Sequence, residues 1–397
     1  MALAATEIRR GSSGDDEGVT RTTLRAVNDA LSSRRLPWGF LACATALTLS
    51  GVMMVISATN RELEPGLAPE AKAQLLWWLI AAGCGLLAWR VPFGWWKELA
   101  VPGWIAALLL IVGMAVLAGT SLVPVTKGQA NWLVLGPLRV QPVEFIKLAA
   151  LLATARLMTA PGFDARRFPH VLLALIVAGL PAALLAREDL GSALTFVPMA
   201  FGILLVAGLR LRHLAILASI TLLIGTLGIM SLPQEGTKSY QYKRIQAWLH
   251  PEDYALTEGY QTARSVGAIG SGQVLGKGWN QGDQNRLGMI PEKHTDLIFA
   301  VTGEELGFLG GVGVLSLFCL FAWVGLANAS AARDPAGRYV VVGFVSLVVG
   351  QAAINLAVAT GIMPVTGVTL PFFSYGGSSL LGTWLGLGIA MGAAVER

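Results

Sequence analysis

The chain has 397 residues, of which 54% are hydrophobic and only 13% are charged. A soluble domain carries about 25% charged residues, so this composition excludes an ordinary soluble protein and predicts a membrane protein. The net charge of +5 comes without the basic cluster that would indicate a nucleic-acid partner.

The chain begins with a polar region, and the apolar segments start only near residue 38. Residues 1–36 predict a cytoplasmic polar tail, and residues 37–397 predict a single transmembrane domain. A helix needs about 20 apolar residues to cross a bilayer, and such segments recur to the C-terminus. Membrane β-barrels show short alternating segments instead, so the predicted fold is an all-α polytopic membrane protein. The ten predicted spans are residues 38–58, 73–90, 99–118, 141–159, 170–186, 191–209, 213–232, 300–328, 339–360 and 379–395.

The basic residues predict how these spans are oriented. Cytoplasmic turns carry more Lys and Arg than the turns on the opposite face of a membrane. The polar tail is rich in arginine and the turns after even-numbered spans are basic, whereas the opposite turns are poorer in basic residues. Both termini are therefore predicted to be cytoplasmic. The basic residues of the even-numbered turns are Arg90, Lys97, Arg166, Arg167, Arg210, Arg212, Arg333 and Arg338.

One predicted connection is much longer than the others. Residues 233–299, between spans seven and eight, are rich in Trp, Tyr and Gly and lack low-complexity runs. A loop of this length in a compact protein is usually functional or disordered, and this composition predicts an ordered extracytoplasmic loop. Asp296 lies at its downstream end, where the next apolar span begins. A carboxylate is costly at such a position, so Asp296 is a candidate functional residue.

Two pairs of charged residues interrupt the apolar pattern. Glu144 and Lys147 open span four and lie three residues apart on one helical face. They predict either a self-neutralising pair that lets the helix insert or a polar contact in a wet cavity. Glu304 and Glu305 follow Asp296 by two or three turns. In one continuous helix Glu304 would lie about 80° from Asp296 and Glu305 roughly opposite it, so at most one of them can share its site.

The connection before the last span, "PVTGVTLPFFSYGGSSLL", combines helix breakers with small and hydroxyl residues. Its two prolines forbid a continuous helix, and Gly376 and Gly377 permit close backbone approach. Ser378 or Ser379 is a candidate N-cap of the last span. The connection therefore predicts either a capped turn or a phosphate-binding turn, because N–H groups and hydroxyls at a helix start suit a phosphate group.

A nucleotide site and a histidine metal site are not expected. The segment "GSGQVLGKG" fails the phosphate-loop pattern, because Ser271 stands where Gly is needed and Gly278 follows the lysine. Lys277 and Arg286 still carry charges suited to a phosphate. The four histidines show no metal-ligand spacing, and no organic cofactor is predicted.

Four segments resemble the SEDS family (shape, elongation, division and sporulation) in their order and spacing. These segments are "NWLVLGPLRVQPVEFIKLA", "EDLGSAL", "GMIPEKHTDLIFAVTGEELG" and "MPVTGVTLPFFSYGGSSLL". The resemblance covers all ten predicted spans, and the segment that begins "YQYKRIQAWLHPE" is more similar to the elongation-type members, RodA, than to the division-type members, FtsW. Two positions depart from the family pattern: Asn131 stands where Arg often precedes Trp132, and Val143 stands where Ser often follows Gln-Pro.

The resemblance implies a peptidoglycan glycosyltransferase for cell elongation and rod shape. Such an enzyme polymerises lipid II at the outer face of the bacterial cytoplasmic membrane, among membrane lipids, with a class B penicillin-binding protein as its transpeptidase partner. The aspartate of the family's His-Thr-Asp motif matches Asp296, which the resemblance makes the best catalytic candidate. Glu144 and Lys147 match the charged pair of the family's motif after Gln-Pro.

The expected reaction gives Asp296 the role of general base. The 4-hydroxyl of GlcNAc must attack the anomeric carbon of a sugar on undecaprenyl pyrophosphate, and a carboxylate against an apolar wall has a raised pKa and is a better base. Direct displacement predicts inversion. The leaving pyrophosphate needs cations or N–H donors, and a divalent cation, Mg²⁺ or Mn²⁺, is a possible bridge to acidic residues. The predicted substrate-binding residues are Glu144, Lys147, Lys277, Arg286, His294, Thr295, Glu304, Ser374, Gly376, Gly377, Ser378 and Ser379.

Three alternatives remain beside this hypothesis. A lipid II flippase would concentrate polar residues near the midplane and on broken helices, whereas here they gather near one predicted interface. A noncatalytic scaffold would leave Asp296 dispensable for polymer formation. A division-specific polymerase would share the chemistry and differ in its cellular role. The sequence favours the elongation polymerase.

Overall fold

The computed structural model describes residues 36–60, 66–126, 129–136, 138–186, 188–210, 212–216, 219, 240–254, 256–257 and 259–395. The predicted polar tail, except its last residue, and most of the predicted seventh span lie outside the described residues. The tail and the seventh span therefore stay predictions.

The described chain is predominantly helical, which confirms the predicted all-α class. A two-stranded antiparallel hairpin between α3 and α4 was not predicted; it pairs β1 (Leu133–Leu135) with β2 (Leu138–Val140). The helices are α1 Leu36–Thr59, α2 Pro69–Arg90, α3 Phe93–Val116, α4 Val143–Met158, α5 Phe168–Leu185, α6 Leu190–Leu194, α7 Phe196–Val206, α8 Tyr240–Leu249, α9 Tyr260–Ser271, α10 Asp283–Arg286, α11 Ile298–Ala331, α12 Pro335–Ala359 and α13 Gly377–Val395.

Seven of the described helices are long and apolar enough to cross a membrane, namely α1, α2, α3, α5, α11, α12 and α13. The protein is therefore a multi-pass membrane protein. The predicted sixth span corresponds to a shorter apolar stretch, Leu190–Val206, and the predicted fourth span to the 16-residue α4. The total of ten spans and the orientation of the termini remain predictions.

Helix α4 lies at the centre of the bundle. It packs against α3, α5, α7, α12 and α13, and twelve of its sixteen residues are buried. Because other helices surround it, its polar residues face protein instead of lipid, as expected for charged groups within a membrane bundle. This position brings Glu144 and Lys147, near the start of α4, to the end of the bundle where the connection before α13 runs.

Helix α11 is broken at Gly307, so the predicted continuous span is wrong at this point. Gly307 has φ 65° and ψ −161°, a conformation that glycine adopts without steric cost. The segment 273–278 binds both sides of the break. The amides of Lys277 and Gly278 donate to the carbonyls of Glu304 and Glu305 at 3.1 and 2.9 Å. The amides after the break, of residues 308 and 309, donate to the carbonyls of residues 273 and 274, so the backbone groups freed by the break are satisfied.

Candidate functional site

Asp296 is half-buried in the turn that leads into α11. The Asn355 side chain on α12 fixes this turn, since its Nδ2 donates to the carbonyl oxygens of Asp296 and Val368, both at 2.7 Å. A Cβ placed on Gly367 would lie 3.8 Å from Oδ2 of Asp296. The carboxylate therefore lies beside the connection between α12 and α13, and the absence of a side chain at Gly367 leaves space around it.

The structure brings three predicted site residues, His294, Thr295 and Ser374, into one cluster. The Ser374 hydroxyl donates to the carbonyl of Thr295 at 2.7 Å and accepts from the Leu370 amide at 2.8 Å. The amide of Tyr375 donates to the carbonyl of His294 at 2.8 Å. In both hydrogen bonds the acceptor is a main-chain carbonyl, of Thr295 or of His294. The cluster therefore clamps the His-Thr-Asp turn onto the connection before α13.

The imidazole of His294 lies against the ring of Tyr375, with 5.5 Å between ring centroids. Burial lowers the pKa of His294 below its usual value of 6.5, since the charged form loses hydration. The imidazole is therefore neutral at physiological pH and available as a hydrogen-bond donor or acceptor next to Asp296.

Helix α2 contacts the glycine–serine turn, which we define as residues 376–379. The buried Gln74 of α2 donates through Nε2 to the carbonyl of Ser374 at 3.1 Å and accepts from the Gly376 amide at 3.4 Å. A Cβ on Gly377 would lie 2.5 Å from the Trp77 ring, so only glycine fits there. These contacts hold α2 against the connection before α13.

Ser378 and Ser379 do not cap the last helix, so the predicted N-cap is wrong. Helix α13 already begins at Gly377, and both serines lie in its first turn. The Ser378 hydroxyl accepts from the Gln141 amide at 3.0 Å, and the Ser379 hydroxyl pairs with that of Thr369 at 3.0 Å. Their hydroxyls join the start of α4 and the connection before α13. A phosphate-binding role for this turn stays a prediction.

Glu144 and Lys147 form a buried ion pair of 2.8 Å on α4. The Lys147 ammonium also donates to Oε1 of Gln351 at 2.8 Å, and Nε2 of Gln351 donates to the carbonyl of Thr369 at 3.0 Å. The cavity beside the pair has a volume of about 10 Å³, which suits a single water molecule. The pair links α4 to α12, and its contact with substrate stays a prediction.

Glu304 is fully buried and is bonded to the segment before α11. Its carboxylate accepts from Lys277 Nζ at 2.9 Å and from the amides of Gln284 and Asn285 at 2.9 and 3.0 Å. The hydrogen bond to Glu304 raises the pKa of Lys277, so this lysine is charged at physiological pH. Lys277 also pairs with Asp283 at 3.0 Å. Two carboxylates around one ammonium disfavour binding of a phosphate there.

Glu305 holds the same segment against α1. Its carboxylate accepts from the Ser57 hydroxyl at 2.6 Å, the Asn280 amide at 3.0 Å and Nδ2 of Asn285 at 2.8 Å. Arg286, the other predicted phosphate contact, is exposed on α10. Substrate contacts by Glu304, Lys277 and Arg286 stay predictions.

The sequence analysis missed three amide side chains that organise the site. Gln351 and Asn355 lie four residues apart on one face of α12, where one contacts Lys147 and the other contacts the Asp296 turn. Gln74 occupies a comparable position on α2. The sequence signal that could have identified these residues is an uncharged amide inside an apolar span, as in "GQAAINLAVA". Such groups seek hydrogen-bond partners when buried.

Within the described ranges, no group of three or more His, Cys, Asp or Glu side chains is arranged to hold a metal ion. The carboxylates of Glu304 and Glu305 are already occupied by protein donors. A cation shared between Asp296 and substrate phosphates stays a prediction.

The comparisons with known proteins decide the family. The profile of the FtsW/RodA/SpoVE family, described as cell cycle protein, matches residues 37–397. The chain belongs to this family. This membership confirms the resemblance given by the sequence segments around Asp296 and before α13.

Three related proteins illustrate the similarity. A probable peptidoglycan glycosyltransferase FtsW of Geobacter metallireducens is 33% identical, covering 90% of this chain and 94% of that protein. A chain solved in a study of polymerisation and crosslinking by a peptidoglycan synthase complex is 30% identical, with a TM-score of 0.73 over 90% of this chain and 97% of that chain. The rod shape determining protein RodA of Thermus thermophilus is 29% identical, with a TM-score of 0.61 over 91% of this chain and 97% of that chain.

Proposed function

We propose that this protein is a peptidoglycan glycosyltransferase that polymerises lipid II at the outer face of the bacterial cytoplasmic membrane. The observation that carries the proposal is the position of Asp296 in the turn before α11. The chain belongs to a family whose members include proteins named for this activity. Asp296 is half-buried and its carboxylate lies beside Gly367, while the Asn355 side chain holds the main-chain carbonyl of Asp296. A positioned carboxylate of this kind suits proton abstraction from a sugar hydroxyl.

In the proposed reaction, Asp296 accepts the proton of the attacking GlcNAc 4-hydroxyl. The new bond forms between that oxygen and the anomeric carbon of the second sugar, with inversion at this carbon. The bond from the anomeric carbon to the pyrophosphate breaks, and undecaprenyl pyrophosphate leaves with the electron pair. Positioned N–H donors or cations stabilise this leaving group. The proposal includes a divalent cation, which would bind the phosphates of the leaving group and supply positive charge there.

A carrier function is the second candidate, because the broken helix α11 is a feature of transporters. In such proteins the freed backbone groups line a substrate cavity. Here the groups at the break are bonded to residues 273–278. The break therefore serves to anchor the segment before α11, which supports the polymerase over the carrier.

The cellular role is proposed as elongation, on the similarity of residues 240–285 to elongation-type members. The relative named FtsW, at 33% identity, favours a division role. Expression of the chain in cells depleted either of their elongation polymerase or of their division polymerase separates the two roles. Restored rod shape supports elongation, and restored septation supports division.

We also propose a class B penicillin-binding protein as the partner. Support comes from the similar chain solved in a study of a peptidoglycan synthase complex that couples polymerisation to crosslinking. The proposal predicts that a co-purified transpeptidase raises the yield of glycan strands from lipid II.

The test of the proposed function is glycan-strand formation from purified lipid II by the purified protein, with and without the partner. We expect Asp296→Asn to lower the rate by about 10²–10⁴-fold, the contribution of a general base. Asp164→Asn, at a partly exposed position between α4 and α5, is the matched control and should be active. Normal polymerisation by Asp296→Asn would remove the base role. Translocation of lipid II in sealed vesicles without polymer would replace the polymerase by a carrier.

A further inference from the structure

Four arginines lie in two turns at the end of the bundle opposite Asp296. The first turn, residues 159–167, connects α4 to α5, and the second turn, residues 207–212, follows α7. Helix α4 starts beside the connection before α13 and has 16 residues, so it carries the chain about 24 Å away from that end. The two turns contain a single carboxylate, that of Asp164. The four exposed arginines are Arg166, Arg167, Arg210 and Arg212.

A contact between two rings joins the turns. Phe168, the first residue of α5, lies against His213, with 5.4 Å between ring centroids, and α5 packs against α7. Arg167 directly precedes Phe168 in the chain, and Arg212 directly precedes His213. The ring contact therefore brings together two pairs of arginines that are far apart in the sequence.

Hydrogen bonds fix the main chain of both turns. In the first turn, the amide of Asp164 donates to Nδ1 of His170 at 2.9 Å, and the His170 ring stacks on Phe163 with 5.3 Å between centroids. In the second turn, the amide of His213 donates to the carbonyl of Arg210 at 2.9 Å. The arginines are therefore carried by a defined backbone, which limits the entropy that is lost when they bind one ligand.

Most of the positive charge in the two turns has no carboxylate beside it. Asp164 lies 3.7 Å from Arg167. Among the described residues, no carboxylate forms an ion pair with the other three arginines. Arg212 instead donates through Nε to Nε2 of His213 at 3.3 Å, which is an uncharged acceptor. The two turns therefore form a positive patch that attracts anions.

His213 adds a hydrogen-bond donor next to these charges. Its side chain is only 4% exposed. Because Nε2 accepts from Arg212, the neutral imidazole carries its proton on Nδ1, and Nδ1 has no hydrogen-bond partner among the described groups. A buried donor without an acceptor is costly. The patch therefore favours a ligand that supplies an acceptor oxygen as well as negative charge.

Exposed apolar side chains adjoin the positive patch on the side of the bilayer. Leu172, Leu173 and Ile176 are exposed within the first three turns of α5, and Leu205 and Val206 are exposed in the last turn of α7. Positive groups followed by an apolar surface match the two parts of a phospholipid, its phosphate and its acyl chains. A zwitterionic headgroup brings a cation of its own to the arginines, so the patch favours an anionic headgroup.

We propose that the two turns bind the headgroup of an anionic phospholipid from the leaflet at this end of the bundle. The phosphate lies between the two arginine pairs, because the guanidinium fork matches phosphate oxygens, and the acyl chains lie along α5 and α7. Both helices pack against α4, which carries the Glu144–Lys147 pair. The bound lipid therefore stabilises the helices around α4. This inference goes beyond the proposed function and does not depend on the reaction at Asp296.

The first test is the thermal unfolding midpoint of the full-length protein in lipid nanodiscs. A ligand that binds only the native state raises the midpoint. We expect a higher midpoint in nanodiscs that contain phosphatidylglycerol than in nanodiscs of phosphatidylethanolamine alone. The double variant Arg166→Gln/Arg167→Gln should lose this difference, and so should Arg210→Gln/Arg212→Gln. The matched control is Arg333→Gln/Arg338→Gln, which removes two exposed arginines at the same end of the bundle and should keep the difference.

The second test is equilibrium binding of fluorescent phosphatidylglycerol to the protein in detergent. Each Arg→Gln change in the two turns should weaken binding by about fivefold. The variant Arg167→Lys/Arg212→Lys keeps the charge that orients the chain in the membrane and removes the guanidinium forks, so it should fold and still bind the lipid more weakly. Binding that follows charge alone, with no effect of these lysines, would overturn a defined headgroup site.

Soluble competitors separate a lipid site from a site for a free anion. Glycerophosphoglycerol has the headgroup without acyl chains, and inorganic phosphate has the anion alone. Both should displace fluorescent phosphatidylglycerol much less effectively than the unlabelled lipid, because they lack the apolar contact with α5 and α7. Displacement by inorganic phosphate at the same concentration as the lipid would overturn the lipid in favour of a free anion.

A third measurement uses the unaltered protein. Phosphatidylglycerol with a photoactivatable diazirine near the start of one acyl chain should crosslink to residues 168–176 and 205–216. Crosslinks confined to other segments would overturn the inference. Equal midpoints of the wild type in the two kinds of nanodisc, or an equal loss in the control variant, would do the same. Glycan-strand formation in detergent is a separate readout, so failure of the lipid site leaves the proposed polymerase unaffected.

Discussion

At the scale of single residues, uncharged side chains hold the main chain of the turn that carries Asp296. The Asn355 amide holds the carbonyl of Asp296 on one side and that of Val368 on the other. The Ser374 hydroxyl holds the neighbouring Thr295 carbonyl. These neutral donors fix the main chain of the turn, because buried carbonyl groups seek hydrogen-bond partners. The position of the Asp296 side chain therefore depends on Asn355 and Ser374.

This leads to a prediction for Asn355. Asn355→Leu removes a donor to two carbonyls, and each buried carbonyl left unsatisfied costs about 1–3 kcal/mol. We expect a lower kcat for polymerisation, with KM for lipid II little changed, because the turn that carries Asp296 loses its support. The measurement is steady-state kinetics on purified lipid II. Asn328→Leu is the control, since its amide bonds a carbonyl of its own helix α11. An equal loss in both variants would indicate a general packing defect.

The Glu144–Lys147 pair gives a second prediction at this scale. Lys147→Met leaves the carboxylate of Glu144 buried without its partner, which costs about 3–5 kcal/mol. We expect a clear fall in the thermal unfolding midpoint in detergent. Glu144→Gln combined with Lys147→Met should recover much of it, because both charges are then absent. If Lys147→Met unfolds at the wild-type temperature but loses lipid II affinity, the pair serves the substrate instead of the bundle.

At the scale of elements, the apolar pattern was sufficient to predict most of the helices but not the irregular parts. Seven predicted spans have matching long helices, because burial of apolar side chains acts along each segment independently. The break at Gly307 and the hairpin at 133–140 depend on partners far away in the chain, such as residues 273–278 and Glu188. The roles of Gln351 and Asn355 were missed for the same reason, since an amide's partners are set by tertiary structure.

The broken helix predicts opposite effects for two glycines of α11. At Gly307 an alanine must adopt φ 65°, and its Cβ would clash with the backbone of Gly276. We expect Gly307→Ala to lower the unfolding midpoint markedly and to release the segment 273–278 to proteolysis. Gly313 lies in the same helix with nothing within 4 Å of an added Cβ. Gly313→Ala should preserve or raise the midpoint, because alanine favours a helix by about 1 kcal/mol. Equal midpoints for the two variants would mean that the break contributes nothing to stability.

At the scale of the whole molecule, one end of the bundle gathers the polar clusters. The Asp296 turn, the connection before α13, the start of α4 and the hairpin are joined there by Asn355, Ser374 and Gln141. The segment bound by Glu304 and Glu305 also joins α11 near the Asp296 turn. A reaction on lipid-linked sugars needs such an end to face the side of the membrane where the polymer is made. The orientation of the chain is therefore as important to the proposed function as the geometry of Asp296.

The positive-inside pattern predicts that this end faces out of the cell, and cysteine labelling tests it. Gln281→Cys, at an exposed position before α10, should react with a membrane-impermeant maleimide on intact spheroplasts. Arg338→Cys, exposed at the start of α12, should react only after permeabilisation. Both are made in a background with Cys43, Cys84 and Cys319 replaced by serine or alanine, since these thiols are reduced. The reverse pattern would place Asp296 on the cytoplasmic side, where it could not polymerise substrate at the outer face, and would reject the proposed function however well the isolated site binds lipid II.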